Sequence, residues 1–322
     1  MLGMRVPIVQ APIGSATTCE LVAAVANAGA LGMLAITWLE PAVVSERIRQ
    51  IQQVTAGPFG VNVSLDFHID AQLEAGLELG VKVVSTFWGD PLGVHERIRS
   101  AGALHLHTVR SPQEALAAVD SGVDVVVAQG WEAGGHVWGE VATMPLIPAV
   151  VDAVPSVPVI AAGGIADGRG LAAALMLGAQ AVWLGTRFVA SIEANTHEDY
   201  RSRVVGARAT DTVYTTCFDG GWPNAPHRVL RNDTLRNWEA AGRPAAPDRP
   251  GEAVLVASDE NGRLFSRYDD MMPLRSVRGD IPEMALYAGQ SAGLVRQVLP
   301  AADIIARIEA EAHQSLQAWQ HA

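Results

Sequence analysis

Apolar positions along this chain follow two alternating patterns. Short runs such as VDVVVAQ (123–129) and VPVIAAG (157–163) are apolar almost throughout. Between such runs lie longer stretches in which apolar residues return every three or four positions, among them CELVAAVANAG, PAVVSERIRQIQQV, AQLEAGLELG, PQEALAAVDSG and GRGLAAALMLGA. The first pattern predicts strands covered on both faces, the second amphipathic helices. The predicted strands are PIVQA (7–11), LGMLA (31–35), FGVNV (59–63), KVVSTF (82–87), ALHLHTV (103–109), VDVVVAQ (123–129), VPVIAAG (157–163) and AVWLGT (181–186). Several helical stretches end at a glycine (Gly29, Gly80, Gly102, Gly122 and Gly178), the residue best suited to the left-handed turn that closes a helix.

Eight strand–helix units over residues 1–192 predict an α/β fold of the closed (β/α)8 TIM-barrel type. A doubly wound sheet is the alternative. Its dinucleotide signature is missing, because GGIADG lacks the G-x-G-x-x-G spacing and no G-x-x-x-x-G-K-[ST] occurs. After Ile192 the rhythm stops. Residues 193–290 are richer in charge, Trp, Pro and Arg, with GGWPNAPHRVLRN (220–232) and the linker-like GRPAAPDRP (242–250), and are expected to form an inserted, partly helical lid. Residues 291–322 are expected to end in a helix, AADIIARIEAEAHQSLQAW (301–319), packed back on the barrel.

Composition narrows the class. With 322 residues, 49% of them hydrophobic, the chain can bury a large core, which excludes disorder. A formal charge of -11 argues against non-specific binding to nucleic acid or anionic membranes, though not against a local anion site. Cys19 and Cys217 stand alone, without a C-x-x-C, so neither a disulfide framework nor a zinc knuckle is suggested. The opening MLGMRVPIVQAPIG has no signal-like basic and apolar regions, and no apolar run reaches about 18 residues. A cytoplasmic protein without a membrane or nucleic-acid partner is expected, with a homodimer as the working expectation for assembly.

In barrels of this kind ligands bind at the C-terminal ends of the strands, with phosphate at the loops after the last two. Those loops read AAGGIADG and LGTRFVAS. Gly163 and Gly164 expose backbone N–H groups near a helix start, and Gly185 with the Thr186 hydroxyl closes the other side. A tight strand-to-helix turn would explain one double glycine; two donor-rich loops at adjacent positions favour phosphate. Strand one ends in QAPI, with Ala11 leaving space and Pro12 fixing the backbone. Asn62 and Gln129 place side-chain amides at two further strand ends, and His136 follows in AQGWEAGGHVWGE. Two amides, a phosphate cradle and small residues beneath a planar space suit FMN, whose ring edge carries both donors and acceptors.

Taken in order, PIVQAPI, GVN, AQGWEAGGH, PVIAAGGIADG and WLGTRF resemble the nitronate monooxygenase family, formerly called 2-nitropropane dioxygenases. The resemblance covers roughly residues 5–192, with weaker echoes in HRVLRN and YAGQSAG. It implies a flavin-dependent (β/α)8 barrel. It further implies FMN contacts at Ala11, Pro12, Ile13, Asn62, Gln129, Gly134, Gly163, Gly164, Trp183, Leu184, Gly185, Thr186 and Gln290, with His136 beside the flavin as catalytic base. The reaction implied is oxidation of an alkyl nitronate, or of a nitroalkane after loss of its α-proton, with O2 to a carbonyl compound and nitrite. An imidazole titrating near neutrality would suit the proton removal. The sequence departs from the family where Val137 and Trp138 precede Gly139, so a bulky ring stands where the family often has glycine. NAD(P)H-dependent quinone and enoyl reductases share much of the motif set and are the alternative.

Other constellations carry less. His105 and His107 share a strand face but lack further ligands for a metal. GQSAG (289–293) matches a nucleophile elbow, yet Asp303 and His313 both fall on the terminal helix. Asp66, His68 and Asp70 read as a solvated helix start, Glu132 and Glu140 as solvated loop carboxylates, and Arg228 and Arg231 as partners in surface or lid ion pairs. Most tryptophans are expected in core or lid packing, with Trp88 bordering the pocket.

Overall fold

The computed structural model describes residues 1–320; His321 and Ala322, the last two positions of the expected C-terminal segment, lie outside the described residues. In chain order the first nine strands are β1 (Ile8–Gln10), β2 (Leu31–Ala35), β3 (Phe59–Ser64), β4 (Val83–Phe87), β5 (Leu104–Val109), β6 (Val125–Gln129), β7 (Gly135–His136), β8 (Val159–Ala162) and β9 (Ala181–Leu184). All but the two-residue β7 run parallel and close into a barrel, β1 pairing with both β2 and β9 to shut the ring. Each barrel strand lies within one of the eight predicted runs or overruns it by one residue. This is the (β/α)8 architecture.

The helices between strands are α1 (Cys19–Asn27), α2 (Pro41–Val54), α3 (Asp70–Glu78), α4 (Leu92–Ser100), α5 (Pro112–Asp120), α6 (Thr143–Ala153) and α7 (Gly168–Met176). Local chemistry starts and stops them. Thr18, Ser111 and Asp167 accept from the backbone N–H of Leu21, Glu114 and Gly170, respectively, at helix N-termini. The five glycines expected to close helices all take left-handed backbone, with φ from +67° at Gly102 to +97° at Gly178.

Strand alternation sorts the core into two layers. Val9, Met33, Leu106, Val125, Val127, Ile160 and Ala181 fill the barrel interior. Their neighbours Val126, Ala128, Ala161 and Val182 pack outward against the helices. This inward register continues to the strand ends and decides which side chains reach the mouth.

Residues 193–290 pack closely on the barrel mouth. After α8 (Thr186–Val189) and α9 (Glu198–Gly206), β10 (Thr212–Thr215) and β11 (His227–Leu230) form an antiparallel pair. β11 also pairs with β7, in the loop after β6, so that His227 faces His136 in register. α10 (Asp233–Ala240) follows, then a second small sheet of β12 (Leu255–Ser258), β13 (Leu264–Ser266) and β14 (Arg278–Gly279). The terminal helix α11 (Ala301–Gln320) packs on α7, and Gly168 lacks the Cβ that would overlap the α11 backbone there. Among the described residues no helix is long and apolar enough to cross a membrane.

Candidate active site

A cavity of about 460 Å3 opens at the C-terminal ends of the barrel strands, within the range of about 300–1,000 Å3 usual for small-molecule and cofactor sites. Every barrel strand contributes to it: Ala11 follows β1, and Ala35, Asn62, Phe87, Thr108, Gln129, Ala162 and Trp183 lie at or near the ends of the others. The 193–290 segment supplies the opposite wall through Trp222, Asp270, Met271 and Tyr287.

Three buried side-chain atoms without a hydrogen-bond partner, Ser64 Oγ, Gln129 Oε1 and His136 Nε2, belong to residues lining this one cavity. Buried polar atoms are rarely left unpaired, so their convergence marks a place where a polar ligand completes the structure. Gln129 is held from its other end, Nε2 donating to the His136 carbonyl at 3.2 Å, which leaves Oε1 as the free acceptor. Asn62 is committed through Nδ2 to Ser85 Oγ at 2.6 Å.

His136 sits where the barrel meets the 193–290 segment. Its ring lies 4.4 Å from Trp222, 5.5 Å from His227 and 5.6 Å from Tyr287, centroid to centroid. The residue as a whole is only partly buried, but Nε2 is closed off from solvent. This desolvation, with His227 adding to it, lowers the imidazole to a pKa of about 3. The expectation of an imidazole titrating near neutrality is therefore corrected: the ring is neutral throughout the physiological range. His227 is buried, donates from Nδ1 to the Ala225 carbonyl at 2.9 Å and accepts at Nε2 from the Phe218 N–H at 3.3 Å. Sequence reasoning missed it. The only signal was its place beside two arginines in HRVLRN.

Gly163, Gly164, Gly185 and Thr186 meet along one side of the cavity. Gly163 and Gly164 both take left-handed φ, +98° and +73°, and neither N–H donates to a backbone acceptor among the described residues. Thr186 Oγ1 accepts from the Gly289 N–H at 2.9 Å, leaving its hydroxyl hydrogen to donate. The start of α7 itself is already satisfied, Gly168 N–H by Glu311 at 3.0 Å and Gly170 N–H by Asp167 at 3.1 Å. The N–H groups of the double-glycine turn are thus left without a backbone acceptor beside the cavity. Gly134 also lines the cavity, but the side on which it lacks a Cβ faces Gly289 and Ala288, so its smallness admits the returning chain.

Ala11, Pro12, Ile13, Asn62, Gln129, Gly134, Gly163, Gly164, Trp183, Gly185, Thr186 and His136 thus come together around one space. Two expected contacts do not. Leu184 points outward into the layer under the helices, offering only a carbonyl that accepts from Ala11 N–H at 2.9 Å. Gln290 opens a short 3-10 turn (Gln290–Leu294) and uses its N–H on the Glu132 carbonyl at 3.0 Å, while the next residue, Ser291, reaches the cavity. That turn does not follow a barrel strand, so GQSAG forms no nucleophile elbow.

Other expectations are also revised. Glu132 is not a solvated carboxylate: Oε2 accepts from the Thr143 N–H at 2.8 Å and hydroxyl at 2.9 Å, capping α6. Arg228 is buried, stacks 4.2 Å from the Trp131 ring centroid and donates twice to the Trp131 carbonyl, whereas Arg231 does pair with Glu239. His105 and His107 point out of the barrel, and both contact Thr86 Oγ1, at 2.8 and 2.7 Å. Trp138 and Trp88 do not line the cavity. Trp138 packs on Phe87 (5.0 Å) and Trp88 (4.5 Å), so its bulk acts through those rings.

Fold and cavity together define a (β/α)8-barrel enzyme with its centre at the strand C-termini. The family described as nitronate monooxygenase matches residues 1–311, and the chain belongs to that family. A nitronate monooxygenase of Paraburkholderia phytofirmans is 32% identical over 98% of this chain and 95% of its own. A (3aS,4S,5R,7aS)-5-hydroxy-7a-methyl-1-oxo-octahydro-1H-indene-4-carboxyl-CoA dehydrogenase of Mycobacterium tuberculosis is 38% identical over 76% of this chain and 68% of its own. Among solved structures, FabK from Thermotoga maritima superposes with a TM-score of 0.82 at 31% identity, covering 99% of this chain and 96% of that one.

Proposed function

We propose that the protein is an FMN-dependent nitronate monooxygenase that oxidises alkyl nitronates, with His136 at the reacting centre. The observation that carries this reading is that Gln129 Oε1 and His136 Nε2, buried and unpaired, belong to the same cavity that the double-glycine turn lines. Gln129 and Asn62 would face the flavin ring, and Gly163, Gly164, Gly185 and Thr186 its phosphate. The neutral donor set suits a phosphate held by backbone N–H groups. Bound FMN supplies the electron acceptor, and O2 carries the nitronate to a carbonyl compound and nitrite.

The neutral state of His136 refines the role of this residue. With a nitroalkane substrate, Nε2 takes the α-proton, and the imidazolium so formed stands in a wall that disfavours charge. It persists only beside an anion, and the nitronate left by proton removal is that anion. A preformed nitronate needs no such step.

A second reading is an NAD(P)H-dependent flavin reductase on the same scaffold; the 38% identity to a CoA-ester dehydrogenase supports redox chemistry on substrates other than nitronates. Anaerobic mixing separates the two. Bleaching of the yellow protein by ethylnitronate, with NADH and NADPH inert, is expected; bleaching by a pyridine nucleotide alone would replace the first reading with the second. A purified protein that is colourless and stays so after incubation with FMN would remove both.

A further inference from the structure

Aromatic rings from five separate segments meet at the mouth of the cavity. Trp222 stands at their centre, 4.9 Å from Phe67, 4.9 Å from Trp88 and 6.3 Å from Phe87, while Trp38 packs edge-on against Phe67 at 5.4 Å. Trp138 completes the set behind Trp88 and Phe87. Of these, Trp38, Phe67, Phe87 and Trp222 line the cavity, and Trp222 lies against His136. Trp222 is almost fully buried and comes from the 193–290 segment, yet its indole N–H donates to Asp66 Oδ2, on the loop after β3, at 2.6 Å. Trp88 is held with φ at +64°, a backbone conformation that a bulky side chain rarely adopts. Its ring packs against those of Phe87, Trp138 and Trp222. The bulky residue at 138 thus bears on the reacting centre through Trp88 and Trp222.

The charge on this wall is equally telling. Among the described residues lining the cavity, the only formal charges are Arg263 and Asp270, both from the 193–290 segment. Asp270 lies against Gly221, beside Trp222, and Arg263 acts on it electrostatically, so the two opposite charges offset one another and leave no surplus cation for a second anionic group on a substrate. Apolar and aryl groups, by contrast, find edges and faces of aromatic rings.

We propose that Trp222, positioned by Asp66, selects substrates that carry an apolar, preferably aryl, substituent on the reacting carbon over short-chain or carboxylate-bearing ones. This substrate class rests on the nitronate reading, but the wall itself can be tested without turnover. A carboxylate is a stable stand-in for a nitronate, so phenylacetate, propionate and succinate represent the aryl, short and dianionic classes. Their dissociation constants are read from perturbation of the flavin spectrum and of tryptophan fluorescence in the purified holoprotein. Phenylacetate is expected to bind about ten-fold more tightly than either competitor. Trp222→Ala should reduce that ratio to near one with bound flavin unchanged. Asp66→Ala should lower it part-way, while Asp66→Asn, which keeps an acceptor oxygen, restores it. An unchanged ratio in Trp222→Ala, or succinate binding best in the parent protein, overturns the proposal. A variant that loses flavin is read instead from protein fluorescence with FMN added in excess. If the aryl preference is found but no nitronate is oxidised, the wall stands and the nitronate reading falls; turnover without preference does the reverse.

Discussion

His136 and His227 face each other in register across the ladder that joins β7 to β11, their rings 5.5 Å apart. One lies in the loop after β6 and the other in the segment that follows the barrel. Both are held neutral by desolvation, at pKa values of about 3 and about 4. Both rings are therefore neutral at physiological pH before any substrate is bound.

For activity, the consequence concerns the base. His136→Asn should retain bound flavin and lose about 10²–10⁴-fold in kcat/KM on a neutral nitroalkane, the usual worth of a positioned base. On the preformed nitronate the loss should be much smaller. Steady-state oxygen uptake with the two forms of one substrate checks this; equal losses on both would remove proton abstraction from the role of His136.

For stability, four desolvated histidines act together. His105 and His107 are also lowered, to about 3 and about 4, chiefly by burial. In the unfolded chain such rings bind protons below about 6.5, whereas the folded rings resist until about 3–4. The unfolded state then holds more protons, so stability is fully present above about pH 6.5 and falls as the pH drops toward 4. Each ring contributes up to about 1.4 kcal/mol per pH unit within that window. Urea midpoints at pH 7, 6 and 5 should decline steeply, and a flat profile would contradict the shelter of these rings from water.

Gly134→Ala tests the return of the chain at residues 288–289. The added methyl would overlap the Gly289 amide and the Ala288 backbone, and Gly289 is the group that fixes Thr186 at the cradle. Overpacking of this kind costs about 1–3 kcal/mol. Lower flavin content per mole of protein and a lower melting temperature are expected together.

Arg228→Lys should destabilise the fold by about 1–3 kcal/mol, although the charge is kept. Lysine cannot reproduce a guanidinium that stacks on Trp131 and donates through two nitrogens to one carbonyl. A denaturation midpoint equal to that of the parent protein would show the arginine to be dispensable there.

What the sequence revealed was local or periodic. Runs such as VDVVVAQ announce a strand, and Gly122 or Gly178 announces a helix end, because each effect acts within one turn or one strand. Gln129, Asn62 and the double glycine were legible because the barrel register sends strand ends to one mouth. The partners of His136 were not. A two-residue strand such as β7 carries no period, and its partner β11 begins only at His227, far along the chain. Trp222 and Asp66 are separated by 156 positions. Burial of Arg228, and the capping role of Glu132, depend on neighbours that only the folded chain assembles.

The ladder between β7 and β11 has a mechanical consequence. The segment bearing Trp222 and the strand bearing His136 are stitched by main-chain bonds, so displacing one drags the other. The solvent-exposed Trp38 lies at the rim of the chamber, while His136 stays tied by its main chain to β11. Excising residues 212–230 would accordingly not simply uncover the barrel; it would remove the strand that pairs with Gly135 and His136.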